Sequence, residues 1–272
     1  MLQNKNAIVY GAGGSLGGAV SRAFAKAGAR VFLTGRTADS IQKRAAEIIA
    51  AGGQAEAVVV DALEKQAVDD HIDAVVAKVG NIDISFNAVG WEDKQNTPLV
   101  EMMMDDFLRP LGISMRTQFI TATAAGRVMM KQGSGVVLSL TATPGGIGYP
   151  MVGGFGPACC AVEAFSKNLA SELGPYGIRV VNIRSGGSPD SKVFKEAIEQ
   201  GGEEVAAFIK KMESDTMLKQ LPLMDDIANT AVFLCSGMAG KITGVTVDVT
   251  AGTTSALNYK IPVIPFLYKS DD

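Results

Sequence analysis

Short, nearly continuous apolar runs rich in β-branched residues alternate along the chain with longer stretches whose apolar positions recur every three to four residues. The runs predict strands at residues 7–10, 30–34, 55–60, 82–87, 135–140, 179–184 and 245–249. The periodic stretches predict helices over 17–27, 39–51, 64–79, 105–131, 158–173 and 225–235, the first closed by Gly28 as a C-terminal cap. Strands that are apolar at nearly every position are buried on both faces. The alternation therefore predicts an α/β domain: seven mostly parallel strands, doubly wound, with helices on both sides. No linker, composition shift or internal repeat divides the chain, so residues 1–272 read as one domain. Residues 188–221 break the rhythm with a polar, helical insertion before the last helix and strand. That position predicts a substrate lid above the carboxyl ends of the strands, with Phe194, Val205, Phe208, Ile209, Met212 and Met217 as its apolar inner face. The C-terminal tail, 253–272, is apolar from Leu257 onward and carries two prolines, and is expected to pack on a neighbouring surface or subunit.

Composition narrows the function classes. A chain that is 47% hydrophobic and 19% charged has ample core and is not disordered. Its net charge of −3 leaves no basic footprint for nucleic acid or an anionic membrane. No apolar run is long enough to span a bilayer, and the first strand follows the N-terminus directly without a signal peptide, so a cytoplasmic protein is expected. Three cysteines, two of them adjacent, give neither a disulfide framework nor metal-ligand spacing, and a single histidine excludes a histidine cluster. No metal is expected. His71, in the polar run 69–73, reads as solvated, and Cys159 and Cys160 read as buried structural thiols.

The candidate chemistry begins at Gly11-Ala12-Gly13-Gly14-Ser15-Leu16-Gly17-Gly18, between the first strand and the first helix. Small residues there admit close approach of the backbone, and a helix N-terminus favours an anionic pyrophosphate. The second strand ends Thr34-Gly35-Arg36, with glycine where an NAD-binding chain commonly carries a carboxylate for the ribose diol. Arg36 can pair bidentately with a 2′-phosphate, which favours NADP(H) over NAD(H); the alternative is a solvated charge flanking the next helix. Asp61, with Ala62, ends the third strand within reach of an adenine amino group, and Asn87-Ala88-Val89-Gly90 ends the fourth at the crevice where strand order should reverse.

Taken together, these residues resemble the short-chain dehydrogenase/reductase family over essentially residues 5–252, which implies a Rossmann-type domain. Gly11, Gly17, Asp61 and Asn87-Ala88-Val89-Gly90 match its cofactor motifs, and 178–183 and 242–248 are similar to its sixth and seventh strands. Gly14, Ser15 and Leu16 complete the phosphate turn, with Ser15 in place of the usual middle glycine. Ser185-Gly186 stands where the family has Pro-Gly below the nicotinamide.

The resemblance also implies a catalytic Ser, Tyr and Lys assisted by an Asn, and this chain departs at all four. The downstream pattern 165–173 places Phe155 at the tyrosine and Cys159 at the lysine. The upstream strand 135–143 puts Ala142 at the serine, and Ser114 stands at the asparagine. Phenylalanine has no proton to give, and a thiol cannot replace an ammonium. No lysine lies between Lys131 and Lys167, so a slipped alignment does not restore one. Thr141, Thr143 and Tyr149 are the available stand-ins. Two functions stay open. One is a hydride-transferring oxidoreductase of non-standard mechanism acting on an activated, hydrophobic acceptor: an iminium, a quinone-like carbonyl or a conjugated double bond. The other is a catalytically silent or non-redox protein that works through ligand or partner binding. The resemblance further implies a homodimer or homotetramer joined through the helices 105–131 and 158–173.

Overall fold

Seven parallel strands form one sheet: β1 (Asn6–Tyr10), β2 (Arg30–Gly35), β3 (Gln54–Val59), β4 (Ile84–Asn87), β5 (Gly135–Ala142), β6 (Ile178–Ser185) and β7 (Thr246–Val249). Their spatial order is β3-β2-β1-β4-β5-β6-β7. The computed structural model describes residues 1–255; the predicted tail beyond Ser255 lies outside the described residues.

The two-residue period of a strand sorts the core into two layers. Ala7, Val9, Val31 and Leu33 point to one face, where α1 (Ser15–Lys26), α2 (Ala38–Ala50) and α7 (Met224–Cys235) cover them. Ile8, Tyr10 and Phe32 point to the other, under α3 (Lys65–Val79), α4 (Met104–Gln132) and α5 (Phe155–Leu173). The fourth strand starts later than its apolar run, because the Ile82 amide donates to Gln132 Oε1 at 3.0 Å instead of joining the ladder. The insertion carries α6 (Lys192–Asp215), whose path breaks at Gly202 (φ 55°, ψ −135°).

Three expectations are corrected here. His71 is buried, 6% exposed, rather than solvated. Its helix turns it onto the face of Val68, Ile72 and Val75, and its ring meets Phe32 edge-on at 6.4 Å. Burial pulls its pKa down to about 4, against a smaller upward pull from Glu56. Cys160 is exposed, because it lies about 100° around α5 from the buried Cys159. On the lid, Ile209 is buried, whereas Phe208 and Met217 are exposed.

Candidate active site

The sheet order reverses between β1 and β4, and the crevice at their carboxyl ends is where an open α/β sheet binds its ligand. Gly11 leaves β1 with φ 75°, and a Cβ there would stand 2.5 Å from the Ala88 carbonyl oxygen. A Cβ on Gly17 would lie 2.3 Å from the Gly11 oxygen, and one on Gly13 would lie 2.4 Å from Ser40 Oγ. Only glycine lets the turn, β4 and α2 close up in this way. Gly14, by contrast, meets nothing nearer than the Gly11 oxygen at 3.4 Å, so it faces open space. No side chain caps α1, which leaves its first N–H groups open to an anion. Leu16 packs on the core beneath. Ser15 Oγ accepts from the Lys192 amide at 3.1 Å, tying the lid helix to the turn.

A cavity of about 360 Å³ opens beside this turn, and Arg36, Asp61, Ala62, Val89 and Glu92 all line it. Residues scattered over four strand ends are thus brought together. Asp61 Oδ1 accepts from the Leu63 amide at 3.0 Å. Asn87 is buried; its Nδ2 donates to Thr121 Oγ1 at 3.0 Å and its Oδ1 accepts from the Val89 amide at 3.0 Å, which fixes the β4 loop. Arg36 is not a free cation: its Nη2 donates to Glu92 Oε1 at 3.1 Å. The glycine cradle, the open helix end and the cavity with its Arg36, Asp61 and Glu92 side chains fit a dinucleotide.

Next to the crevice, Ala142 ends β5 opposite Ser185, and Phe155 opens α5. Phe155 packs on Trp91 with ring centroids 5.3 Å apart. Trp91, Ala158, Cys159 and Val162 form a small buried cluster, with Ala142, Phe155, Leu111 and Ile113 against it. Cys159 is fully buried, and burial pushes its thiol up to about 12, so it stays neutral. Ser114, also buried, spends its hydroxyl on the Leu111 carbonyl at 3.1 Å. The floor beside the crevice is apolar.

Of the three stand-ins, Thr141 is not available. Its hydroxyl donates to Glu163 Oε1 at 2.8 Å and accepts from Asn182 Nδ2 at 2.7 Å. Thr143 and Tyr149 do come together, lining a cavity of about 40 Å³ with Gly186, Gly187, Met212 and Asp215. Burial, and then Asp215, raise the Tyr149 pKa, so it holds its proton. Three features of the site emerge with the fold: Trp91, Glu92, and the ion cluster in which Arg184 binds Glu163 and Asp248. Trp91 is the only tryptophan and directly follows the β4 motif, which was signal enough; the ion cluster had none. Among the described residues, no group of three or more His, Cys, Asp or Glu side chains is placed to hold a metal ion, and no helix is long and apolar enough to cross a membrane.

Comparison with known proteins places these features in a family. The family model described as Enoyl-(Acyl carrier protein) reductase matches residues 11–254. The 7alpha-hydroxysteroid dehydrogenase of Escherichia coli (strain K12) is 30% identical over 260 residues, 94% of this chain and 97% of that protein. Among solved structures, NAD+-bound xylitol dehydrogenase is 25% identical with a TM-score of 0.86, over 92% of this chain and 99% of that one. A 7α-hydroxysteroid dehydrogenase complexed with NADH and 7-oxo glycochenodeoxycholic acid is 29% identical with a TM-score of 0.83, over 95% and 96%. Both structures hold NAD+ or NADH, and this overturns the expectation of NADP(H). The physical reason for the error is Glu92. Its carboxylate pairs at 3.1 Å with the guanidinium on which that expectation rested, and its position beside Arg36 arises only in the fold.

Proposed function

The chain belongs to the short-chain dehydrogenase/reductase family and has the oxidoreductase character of that family, and from this premise we propose that it binds NAD(H) and transfers hydride to an activated hydrophobic acceptor. Gly11, Gly13 and Gly17 would admit the pyrophosphate against the N-terminus of α1, Asp61 would hold the adenine, and Gly186 would lie below the nicotinamide. When bound, the nicotinamide supplies or accepts the hydride.

One observation supports the finer reading: Phe155, Cys159 and Ala142, the residues that the sequence pattern aligns with the family's Tyr, Lys and Ser, form an apolar floor with Trp91. A buried, neutral thiol cannot lower a neighbouring pKa or hold a ribose as an ammonium does. Losing a positioned acid–base group costs ~10²–10⁴ in rate. Acceptors already polarised, such as an iminium, a quinone-like carbonyl or a conjugated double bond, need no phenol beside them. Tyr149 and Thr143 line the small cavity next to Gly186; the Thr143 hydroxyl donates to the Ser185 carbonyl at 3.4 Å, so Tyr149 would be the group to give a proton to a reduced oxygen. The bile-acid derivative in the related structure supports a hydrophobic acceptor, as do the partly buried Phe194 and Met212 of the lid. We read the protein as a cytoplasmic homo-oligomer.

The test is a titration of the stripped protein with NADH, followed by nicotinamide fluorescence, and then a screen of activated acceptors. Saturable binding with turnover of at least one class supports the proposal. Binding of NADH with turnover of none favours the silent alternative, to which the same apolar floor also points.

A further inference from the structure

The end of β2 carries Gly35 and Arg36, so it offers no carboxylate to a ribose diol. The carboxylate in this cavity comes instead from Glu92, two residues beyond the β4 motif and 56 residues from Arg36 in sequence. Its placement is built rather than incidental. Glu92 has φ 53°, a left-handed conformation that is uncommon for a side-chain-bearing residue. The preceding Trp91 is buried and packed on Phe155, which anchors the loop. The carboxylate lies between two guanidinium groups: Arg36 Nη2 is 3.1 Å from Oε1, and Arg109 Nη1 of α4 is 4.0 Å from Oε2.

From this arrangement we infer that Glu92 is the residue that selects the unphosphorylated dinucleotide, doing from the β4 loop what β2 lacks. Its carboxylate accepts from the adenosine 2′-hydroxyl and repels a 2′-phosphate. It also occupies Arg36, the guanidinium at the end of β2 that would otherwise pair with that phosphate. Arg36 and Arg109 act as positioning residues that hold the carboxylate at the cavity wall. A 2′-phosphate brings a charge of about −1.5 to −2 to within a few ångströms of Glu92; at the high dielectric of a half-exposed site the carboxylate's own repulsion, set against the attraction of Arg36 and Arg109, is worth on the order of tenfold in binding.

The inference rests on the nucleotide reading above, and the experiment separates the two. Dissociation constants for NADH and NADPH are measured by nicotinamide fluorescence on the full-length protein, on Glu92→Gln, and on Glu92→Gln combined with Arg36→Ala. We expect NADH to bind the wild type more tightly, and Glu92→Gln to shift the NADH-to-NADPH preference at least about tenfold towards NADPH. The double variant should lose that gain, because the freed Arg36 is its source. A ratio unchanged in Glu92→Gln, with NADH still bound, overturns the role of Glu92, as does a gain that survives removal of Arg36. A wild type that binds neither nucleotide overturns the nucleotide reading itself.

Discussion

Replacing Gly11 by alanine tests the phosphate turn at its tightest point. Alanine at φ 75° costs about 1–2 kcal/mol against glycine. The new Cβ would also stand 2.5 Å from the Ala88 oxygen, 2.7 Å from its carbonyl carbon and 2.8 Å from the Val89 nitrogen. All three are backbone atoms of a loop fixed by Asn87, so none can rotate away, and such overpacking costs a further ~1–3 kcal/mol. A total near 3 kcal/mol lowers Tm by roughly 6–12 °C in a domain of this size. Gly14→Ala is the matched control. Its backbone is ordinary (φ −73°) and its Cβ would meet nothing within 3.4 Å. It should cost no more than about 1 kcal/mol, the scale of an N-cap change. Its methyl group, however, projects into the open side of the turn where the phosphates would approach. Circular dichroism melts and NADH titrations of both variants distinguish the cases. Gly11→Ala should melt early. Gly14→Ala should melt close to wild type yet bind NADH weakly. A Gly11→Ala protein with wild-type Tm and wild-type affinity would refute the reasoning.

His71 and the cysteines supply two further expectations. Because burial holds the His71 pKa at about 4 against 6.5 unfolded, the unfolded chain binds more protons between those values. Stability from this residue is therefore complete above pH 6.5 and falls as the pH drops towards 4, by about 3 kcal/mol in all. Urea titrations of wild type and His71→Leu across that window check it; parallel pH profiles would contradict it. With a thiol-specific reagent at pH 8, Cys160 should react in the native protein, whereas Cys159 and Cys235, both buried, should react only after denaturation. Mass mapping of the labelled site decides this, and rapid native labelling of Cys159 would contradict the account.

The parallel sheet and its phosphate turn were legible because strands buried on both faces must be apolar throughout, and because a glycine-rich turn between strand and helix has few other uses. The apolar floor was legible for the same local reason: Phe155 and Cys159 are read at a fixed spacing on one helix. What the sequence hid was pairing between distant segments. Arg36 looks like a free cation until β4 brings Glu92 to it, and Thr141 looks like a spare hydroxyl until α5 and β6 engage it through Glu163 and Asn182. At His71 a polar run is not a polar face: the helical turn decides which member of Asp69-Asp70-His71 points inward. Phe208 and Ile209 are adjacent, so a helix can bury only one of them well, and apolar composition alone did not say which.

The central claim is that this protein binds a nicotinamide dinucleotide over a floor without a standard proton donor. Single-turnover mixing tests it most directly: protein loaded with NADH meets either an unactivated aliphatic ketone or an ortho-quinone, and the loss of reduced-nicotinamide absorbance is followed. The quinone should consume NADH at least ~100-fold faster than the ketone, after correction for the reaction without protein. Reduction of the ketone at a rate equal to that of the quinone would contradict it.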